Sequence, residues 1–253
     1  MREKEIIIKL ENISFSYSAA DHIKADTNEK SGKILNNLSF ELSADDKIGM
    51  IAPNGSGKTT LLHIIMGLCT PDSGTVELFG KRVSSEKEFA KLRPQIGLMF
   101  QDSDDQLFNP YVIDDVAFGP LNLGFSKKEA LITARETLSE LGIENLENSI
   151  IHRLSGGQKR LVALASVLAM KPKALLLDEP TAGLDTDVKN RIKDVLKKSD
   201  IAFLIVAHDF NFLKSVSSGI ISMGDGKILL DDQIHIHHHE HIHTYGHNPH
   251  THV

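Results

Sequence analysis

Three short stretches of the chain combine glycines with polar side chains at spacings that could do chemistry. The first is Ala52–Thr60, APNGSGKTT, which follows the apolar run Ile48-Gly49-Met50-Ile51 and precedes Leu61, Leu62, Ile64 and Ile65. That order reads as strand, glycine-bearing loop, helix. Gly55 and Gly57 let the backbone curl until successive N–H groups, from Asn54 through Ser56 to Thr60, surround an anion. The helix that follows adds free N–H groups and the positive end of its dipole at the same point. Lys58 is placed to reach the outer phosphates of a nucleotide, and the Thr59 hydroxyl is placed to ligate Mg²⁺. An ordinary glycine turn before a helix, with an incidental lysine, would account for the residues singly but not for their order. The general pattern opens with Gly where this chain has Ala52, and the expectation is that the loop accommodates the methyl.

The second stretch is Asp178-Glu179, which closes the apolar run LLLDE. A nucleotide hydrolase needs one carboxylate to hold the Mg²⁺ shell and another to orient the attacking water. Asp178 suits the first task and Glu179 the second. The third stretch is Leu154–Gln158, LSGGQ. Its serine hydroxyl and glycine N–H groups begin another helix and would also suit an anion. One nucleotide does not need two such loops from one subunit, so the second makes sense if it completes the site of a partner molecule.

The elements that must position these residues are legible as a pattern. Ile6–Leu10, Ile13–Tyr17 and Ile34–Leu42 read as strands, with a polar surface loop between Ser18 and Lys33. Pro71-Asp72-Ser73-Gly74 is a turn, followed by a strand at Thr75–Phe79 and a short polar helix at 84–92. Ile96–Phe100 is a buried strand ending at Gln101. Ser126–Leu141 is a helix with a Ser126/Glu129 capping box and Gly142 as its stop. Leu131, Ala134, Leu138 and Leu141 share one of its faces. Ser155 and Gln158 repeat the capping-box spacing ahead of LVALASVLA, which is apolar nearly all round and so should be buried. Ala174–Leu177 and Ile201–Ala207 are continuous apolar strands, the second ending at His208. Val188–Leu196 is an amphipathic helix, and Ile220–Ser222 and Ile228–Leu230 flank a turn. Uninterrupted apolar strands alternating with helices predict an α/β fold with a mainly parallel sheet covered on both faces. Ligands of such sheets sit at the carboxyl ends of the strands. The phosphate loop, Gln101, Asp178, Glu179 and His208 all fall at such ends.

Composition narrows the classes. Apolar residues make up 41 % of the 253 and charged residues 25 %, as in an ordinary globular protein. The net charge of −6 creates no basic field for nucleic acid. Cys69 is the one cysteine, so no disulfide can form within the chain and a reducing compartment fits. No apolar run reaches the ~18 residues of a membrane span, and MREKEIIIKLEN lacks the features of a signal peptide. The expectation is a cytoplasmic protein whose membrane work, if any, needs other chains to span.

Taken together and in order, APNGSGKTT, Gln101, LSGGQ, LLLDEPTAGLD and His208 resemble the motif set of ATP-binding cassette (ABC) ATPases, over roughly residues 5–230. The resemblance implies a P-loop fold with an antiparallel β subdomain and a helical subdomain, at about 102–170, that carries LSGGQ. It implies a dimer, homo- or heteromeric, with two ATP molecules each held between one subunit's phosphate loop and the other's LSGGQ. By the same resemblance Tyr17 would stack on adenine, and Asn54, Gly55, Ser56, Gly57, Lys58, Thr59 and Thr60 would hold the phosphates. Thr59, Gln101 and Asp178 would serve Mg²⁺, Glu179 would be the general base, and His208 would contact the γ-phosphate. Ser155 and Gly157 would act in trans, and Asp185 would lie at the dimer interface. Tyr17 and His208, taken alone, would more ordinarily be packing residues.

The stretch FQDSDDQLFNPYVIDDVAFGPLNLG, with LSGGQKR and VLAMKP, is similar to the ATPase subunits of energy-coupling-factor importers, which take up vitamins or the metals cobalt and nickel. In such proteins residues after Gln101 contact a helix of the membrane partner; here Leu107, Phe108, Tyr111, Val112 and Val116 could line that groove. The tail at 235–253 points to a metal. It holds nine histidines, among them His235, His237, His238, His239, His241 and His243. Neutral imidazole favours Ni²⁺ or Co²⁺, and also Cu²⁺ or Zn²⁺, over Mg²⁺. The tract cannot bury a core and should be disordered without metal; its interspersed Ile, Glu, Thr, Tyr and Asn set it apart from a purification tag. The resulting reading is an ABC domain over 1–234 that powers cobalt or nickel import through transmembrane energy-coupling and substrate-binding subunits, from the cytoplasmic face. The rivals are an importer subunit for another substrate, a soluble ABC ATPase acting on DNA or ribosomes, and a metal-storage protein with an inactive cassette.

Overall fold

The computed structural model describes residues 5–17 and 33–229. The polar stretch 18–32 and the histidine-rich tail lie outside them. Two sheets organise the described chain. The first is antiparallel, with β1 (Ile6–Phe15), β2 (Leu35–Ser43), β4 (Ser73–Leu78) and β5 (Lys81–Val83) in the order β2-β1-β4-β5. The two strands expected at 6–10 and 13–17 are one. Its pairing with β2 shifts register between Leu10 and Ile13, where Asn12 takes a φ of 54°. Asparagine tolerates that left-handed conformation, so the strand kinks there and continues, which a break in alternation could not distinguish from an end.

The second sheet has the order β10-β9-β3-β8-β7-β6, built from β3 (Lys47–Ile51), β6 (Ile96–Met99), β7 (Ala174–Asp178), β8 (Ala202–Val206), β9 (Gly219–Gly224) and β10 (Lys227–Leu229). Every neighbouring pair is parallel except β9 and β10. Successive side chains of a strand point to opposite faces, and here both faces are dry. Leu175, Leu177, Phe203 and Ile205 join one core, while Met50, Leu176, Leu204 and Val206 join a second, shared with the antiparallel sheet. Double burial is why these strands read as unbroken apolar runs.

Helices cover both faces: α1 (Lys58–Ile65), α2 (Glu86–Leu92), α3 (Val112–Asn122), α4 (Lys127–Glu140), α5 (Gly156–Leu168), α6 (Thr186–Lys198) and α7 (Phe210–Val216). Both expected capping boxes form, Ser126 with Glu129 on α4 and Ser155 with Gln158 on α5. On α4 the buried residues are Ala130, Thr133, Ala134, Thr137 and Leu138, with Leu131 partly buried against the same core, so two threonines join the expected apolar face. Thr137 meets its burial by donating to the Thr133 carbonyl at 2.9 Å. Helices α3 and α7 were not expected. The first opens on two β-branched residues and contains Gly119 and Pro120, poor helix formers. Gly119 is there for contact: a Cβ at that point would stand 2.5 Å from the Met170 side chain beyond α5. The residues expected to line a partner groove divide. Leu107, Val112 and Val116 are core, at most 7 % exposed, whereas Phe108 and Tyr111 are 65 % and 46 % exposed. The helical period of α3 turns Val112 and Val116 inward together, a separation invisible without the helix.

Candidate functional site

Register brings the chemistry to one edge. Met50 on β3 and Asp178 on β7 are both paired with Val206 on β8, so the three strands end level. The phosphate loop leaves β3 there, Glu179 follows β7, and His208 follows β8. Gly57 is the N-cap of α1, with φ 97° and ψ 14°, and Gly55 has φ 77°. Both conformations are left-handed, which glycine adopts without penalty. Ala52 needs no such freedom: its backbone is not among the positive-φ positions, and its methyl is 2 % exposed inside the second core. The methyl packs into the core beside α1.

Lys58 lies folded over the loop. Its Nζ donates to the carbonyls of Ala52 at 3.2 Å and Pro53 at 3.4 Å, and to Asn54 Oδ1 at 3.3 Å. His208 Nε2 completes the group, 3.4 Å from Lys58 Nζ and 3.2 Å from Asn54 Oδ1. The same Nε2 is 3.2 Å from Glu179 Oε1, an ion-pair distance when the imidazole is protonated, but the two are not aligned as a hydrogen bond. The His208 N–H donates to Glu179 Oε2 at 3.4 Å. Glu179 itself has φ 49°, an unusual backbone for a glutamate, and is 5 % exposed. Left-handed L-residues cost about 1–2 kcal/mol each, so the surrounding strands hold this carboxylate against local preference. The Thr59 hydroxyl donates to Asp178 Oδ2 at 2.7 Å. Tyr17 stands at the same loop: its hydroxyl is 3.0 Å from the Thr60 hydroxyl, and its ring meets Phe15 edge-on at 5.0 Å.

Among the described residues, four buried side-chain oxygens have no hydrogen-bond partner, and three of them, on Ser56, Asp178 and Glu179, belong to this site. Unpaired buried oxygens are costly, and their gathering marks a place built for a further group. A cleft of about 470 Å³ opens beside them, lined in part by Thr59, His63, Gln101, Asp102 and Asp178. Burial draws His63 below the usual imidazole range, against an opposing pull from Asp178.

A family model described as "ABC transporter" matches residues 35–182. The chain belongs to the ABC transporter family. It is 43 % identical over 247 residues to a putative ABC transporter ATP-binding protein of Nitratidesulfovibrio vulgaris, covering 98 % of this chain and 82 % of that one. It is 40 % identical over 200 residues to the energy-coupling factor transporter ATP-binding protein EcfA of Methanocaldococcus jannaschii, covering 78 % of this chain and 72 % of the relative. Among solved structures it is similar to cbiO1 of Clostridium perfringens, described as part of the ABC transporter complex cbiONQ. That match has a TM-score of 0.76 and 33 % identity, covering 90 % of this chain and 88 % of the other. As an ABC protein the chain is an ATPase with the P-loop fold expected from its motifs, and ABC ATPases dimerise and work with transmembrane subunits.

The ABC site fits Mg²⁺. That ion takes hard oxygen ligands, keeps several waters, and binds through one or two protein carboxylates together with phosphates. The Thr59 hydroxyl, the free Asp178 Oδ1 and the Gln101 amide at the cleft offer such a set. Among the described residues no group of three or more His, Cys, Asp or Glu could hold a metal, and the six tail histidines proposed as ligands lie outside them.

Not every expected site residue meets the loop. Ser155 caps α5, its hydroxyl accepting from the Gln158 N–H at 3.2 Å and its own N–H donating to Gln158 Oε1 at 2.9 Å. Gly157 packs on α6, where a Cβ would stand 3.1 Å from Val188. Asp185 caps α6 by accepting from the Val188 N–H at 3.0 Å. These three form a second cluster that shares no hydrogen bond with the phosphate loop. Two residues of consequence stand outside the motifs of the sequence: Gln106 and Arg160, which bracket Phe100. Arg160 is a cation at the head of an apolar helix, and that was the available signal.

Proposed function

We propose that this chain is the ATP-hydrolysing subunit of an importer for cobalt or nickel ions, working as an ATP-sandwich dimer on the cytoplasmic side of separate membrane subunits. The observation that carries the hydrolytic part is the gathering of three unpartnered buried oxygens around a glycine loop, a lysine and a histidine. In this reading Lys58 and the amides of Asn54–Thr60 hold the phosphates of ATP. Thr59, Gln101 and Asp178 hold Mg²⁺, which when bound offsets phosphate charge. Glu179 accepts a proton from the attacking water through an oxygen that has no hydrogen bond to give up. His208, within 3.4 Å of both Lys58 and Glu179, orients the outer phosphate. Tyr17 offers a ring face to adenine. The separateness of Ser155, Gly157 and Asp185 from the loop supports a composite site: a cluster that does not serve its own nucleotide is available to the partner's.

The partner in the membrane would meet the aromatic surface at Phe108, Tyr111 and Phe118, where Phe108 and Phe118 pack edge-on at 4.6 Å. Among the described residues no helix is long and apolar enough to cross a membrane, so the reading assigns the spanning to other chains. The metal rests on the histidine-rich tail and on the likeness to a cbiONQ component; the likeness to EcfA proteins equally favours an energy-coupling-factor importer of another substrate. The experiment is uptake of Co²⁺ and Ni²⁺ by cells carrying the chain with the membrane subunits it copurifies with, against the Glu179→Gln variant. Isothermal titration of the purified chain with Ni²⁺, with and without residues 235–253, runs beside it. ATP-dependent metal uptake and tail-dependent binding support the reading. An intact complex that moves neither metal would withdraw it in favour of another substrate.

A further inference from the structure

Between Gln101 and the LSGGQ helix lies a polar linkage that the hydrolytic reading leaves unused. Phe100, the residue before Gln101, has both main-chain groups tied. Its N–H donates to Gln106 Oε1 at 3.2 Å, and its carbonyl accepts from Arg160 Nη1 at 3.1 Å. Gln106 extends the tie to α5, where its Nε2 donates to the Ala163 carbonyl at 2.7 Å and to the Ser166 hydroxyl at 2.9 Å. Ser166 in turn donates to the Ala163 carbonyl at 2.9 Å. Arg160, five residues beyond Ser155, is only 8 % exposed. Burial lowers its affinity for the proton, and Asp102, Asp178 and Glu179 oppose that effect, so its charge lies within reach of both catalytic-edge carboxylates.

Packing alone does not call for this arrangement. The rest of the α5 face is apolar and needs no arginine or glutamine to bury it. Both backbone groups of one residue are satisfied by side chains rooted on other segments, and truncating either side chain leaves a main-chain group unpaired. Lys159 and Asp104 add an ion pair nearby, but its Asp104 side chain is 66 % exposed, so water screens it. The buried linkage is therefore the firm one.

We propose that Gln106 and Arg160 are positioning residues that clamp Phe100 to α5, so that the Gln101 segment and the start of the LSGGQ helix move as one body. Seating of Mg–ATP at Gln101 then sets the angle at which Ser155 is presented to the partner's nucleotide. This rests on the reading that Gln101 and Ser155 both act on nucleotide.

The test uses the full chain with Gln106→Leu, Arg160→Met, Arg160→Lys and Ser155→Arg. Steady-state ATPase activity is measured for the first three, and ATP-driven dimerisation for all four in the Glu179→Gln background, by analytical ultracentrifugation. Gln106→Leu and Arg160→Met should lower kcat about tenfold, equal to about 1.4 kcal/mol, while KM for Mg–ATP stays within about twofold. Both should weaken ATP-driven dimerisation. Arg160→Lys should recover most of the kcat, because an ammonium can still donate to the Phe100 carbonyl. A kcat within about twofold of native for both truncations would overturn the clamp. So would equal losses in kcat, KM and melting temperature for Arg160→Met and Arg160→Lys alike, the behaviour of a residue that merely packs. If Gln106→Leu does not fold, the Arg160 pair decides alone. Normal dimerisation of Ser155→Arg would instead remove the composite-site reading, and the proposal with it.

Discussion

Gly55 and Gly57 both have left-handed backbones, yet adding a methyl should affect them unequally. At Gly57 a Cβ would stand 2.8 Å from Leu35 Cδ2, 3.0 Å from Ile34 Cγ2 and 3.1 Å from the Ile34 carbonyl, and φ is +97°. The leucine methyl can move aside; the carbonyl is held, since the Ile34 N–H is bonded to the Phe15 carbonyl at 2.8 Å. The left-handed strain costs about 1–2 kcal/mol and the overpacking about 1–3 kcal/mol. Restriction of the unfolded chain returns about 0.4–1 kcal/mol. Gly57→Ala should therefore lose about 1–4.6 kcal/mol. At Gly55 φ is +77° and nothing lies within 4 Å of the added carbon. Only strain and the unfolded-state gain remain there, so Gly55→Ala should lose about 0–1.6 kcal/mol. Urea unfolding of the nucleotide-free chain measures both, with midpoints compared at constant slope. Equal destabilisation of the two variants, or the larger loss at Gly55, would refute the idea that contact with the start of β2 distinguishes them.

Glu179→Gln should retain ATP binding, nearly abolish turnover and trap an ATP-bound dimer; hydrolysis near the native rate would remove the general-base role. Ala52→Gly should change ATP affinity by less than about tenfold, or ~1.4 kcal/mol, because the methyl faces the core; titration with a fluorescent nucleotide checks this, and a much larger gain would show a handicapped site. Glu88 accepts from the N–H and hydroxyl groups of Ser84 and Ser85 at the start of α2, which holds its pKa down to about 2 against an ordinary 4.5. Its folded value lies below its unfolded one, so its contribution is fully present above about pH 4.5 and is lost as pH falls toward about 2. Melting curves of native chain and Glu88→Gln should accordingly converge across that window.

Much of the fold was readable because its signals are local. Ser126 with Glu129, and Ser155 with Gln158, are three residues apart, and each pair closes its capping box without help from elsewhere. The apolar runs at 174–177 and 201–207 announced double burial by composition alone. The failures arose where a local signal was weak or ambiguous. Asn12 interrupts the alternation of β1 without ending the strand. Val112, Gly119 and Pro120 argue against the helix that tertiary packing nevertheless makes of α3. Burial then separated Val112 and Val116 from Phe108 and Tyr111, which had looked equivalent.

The same division runs through the site. Residue type and short spacing are enough to specify the glycine loop, its lysine and threonine, the paired carboxylates and the second helix start, because they dictate that chemistry. The folded packing alone makes Met50, Val206 and Asp178 end level, turns the Ala52 methyl into the core and holds Glu179 left-handed. Only it joined Gln106 and Arg160 to Phe100. Apart from the Gln106–Phe100 bond, which spans six residues, these depend on contacts between segments tens of residues apart or more, set by strand register and by the packing of helices on the sheet. No local preference encodes them, and at Glu179 local preference opposes the outcome.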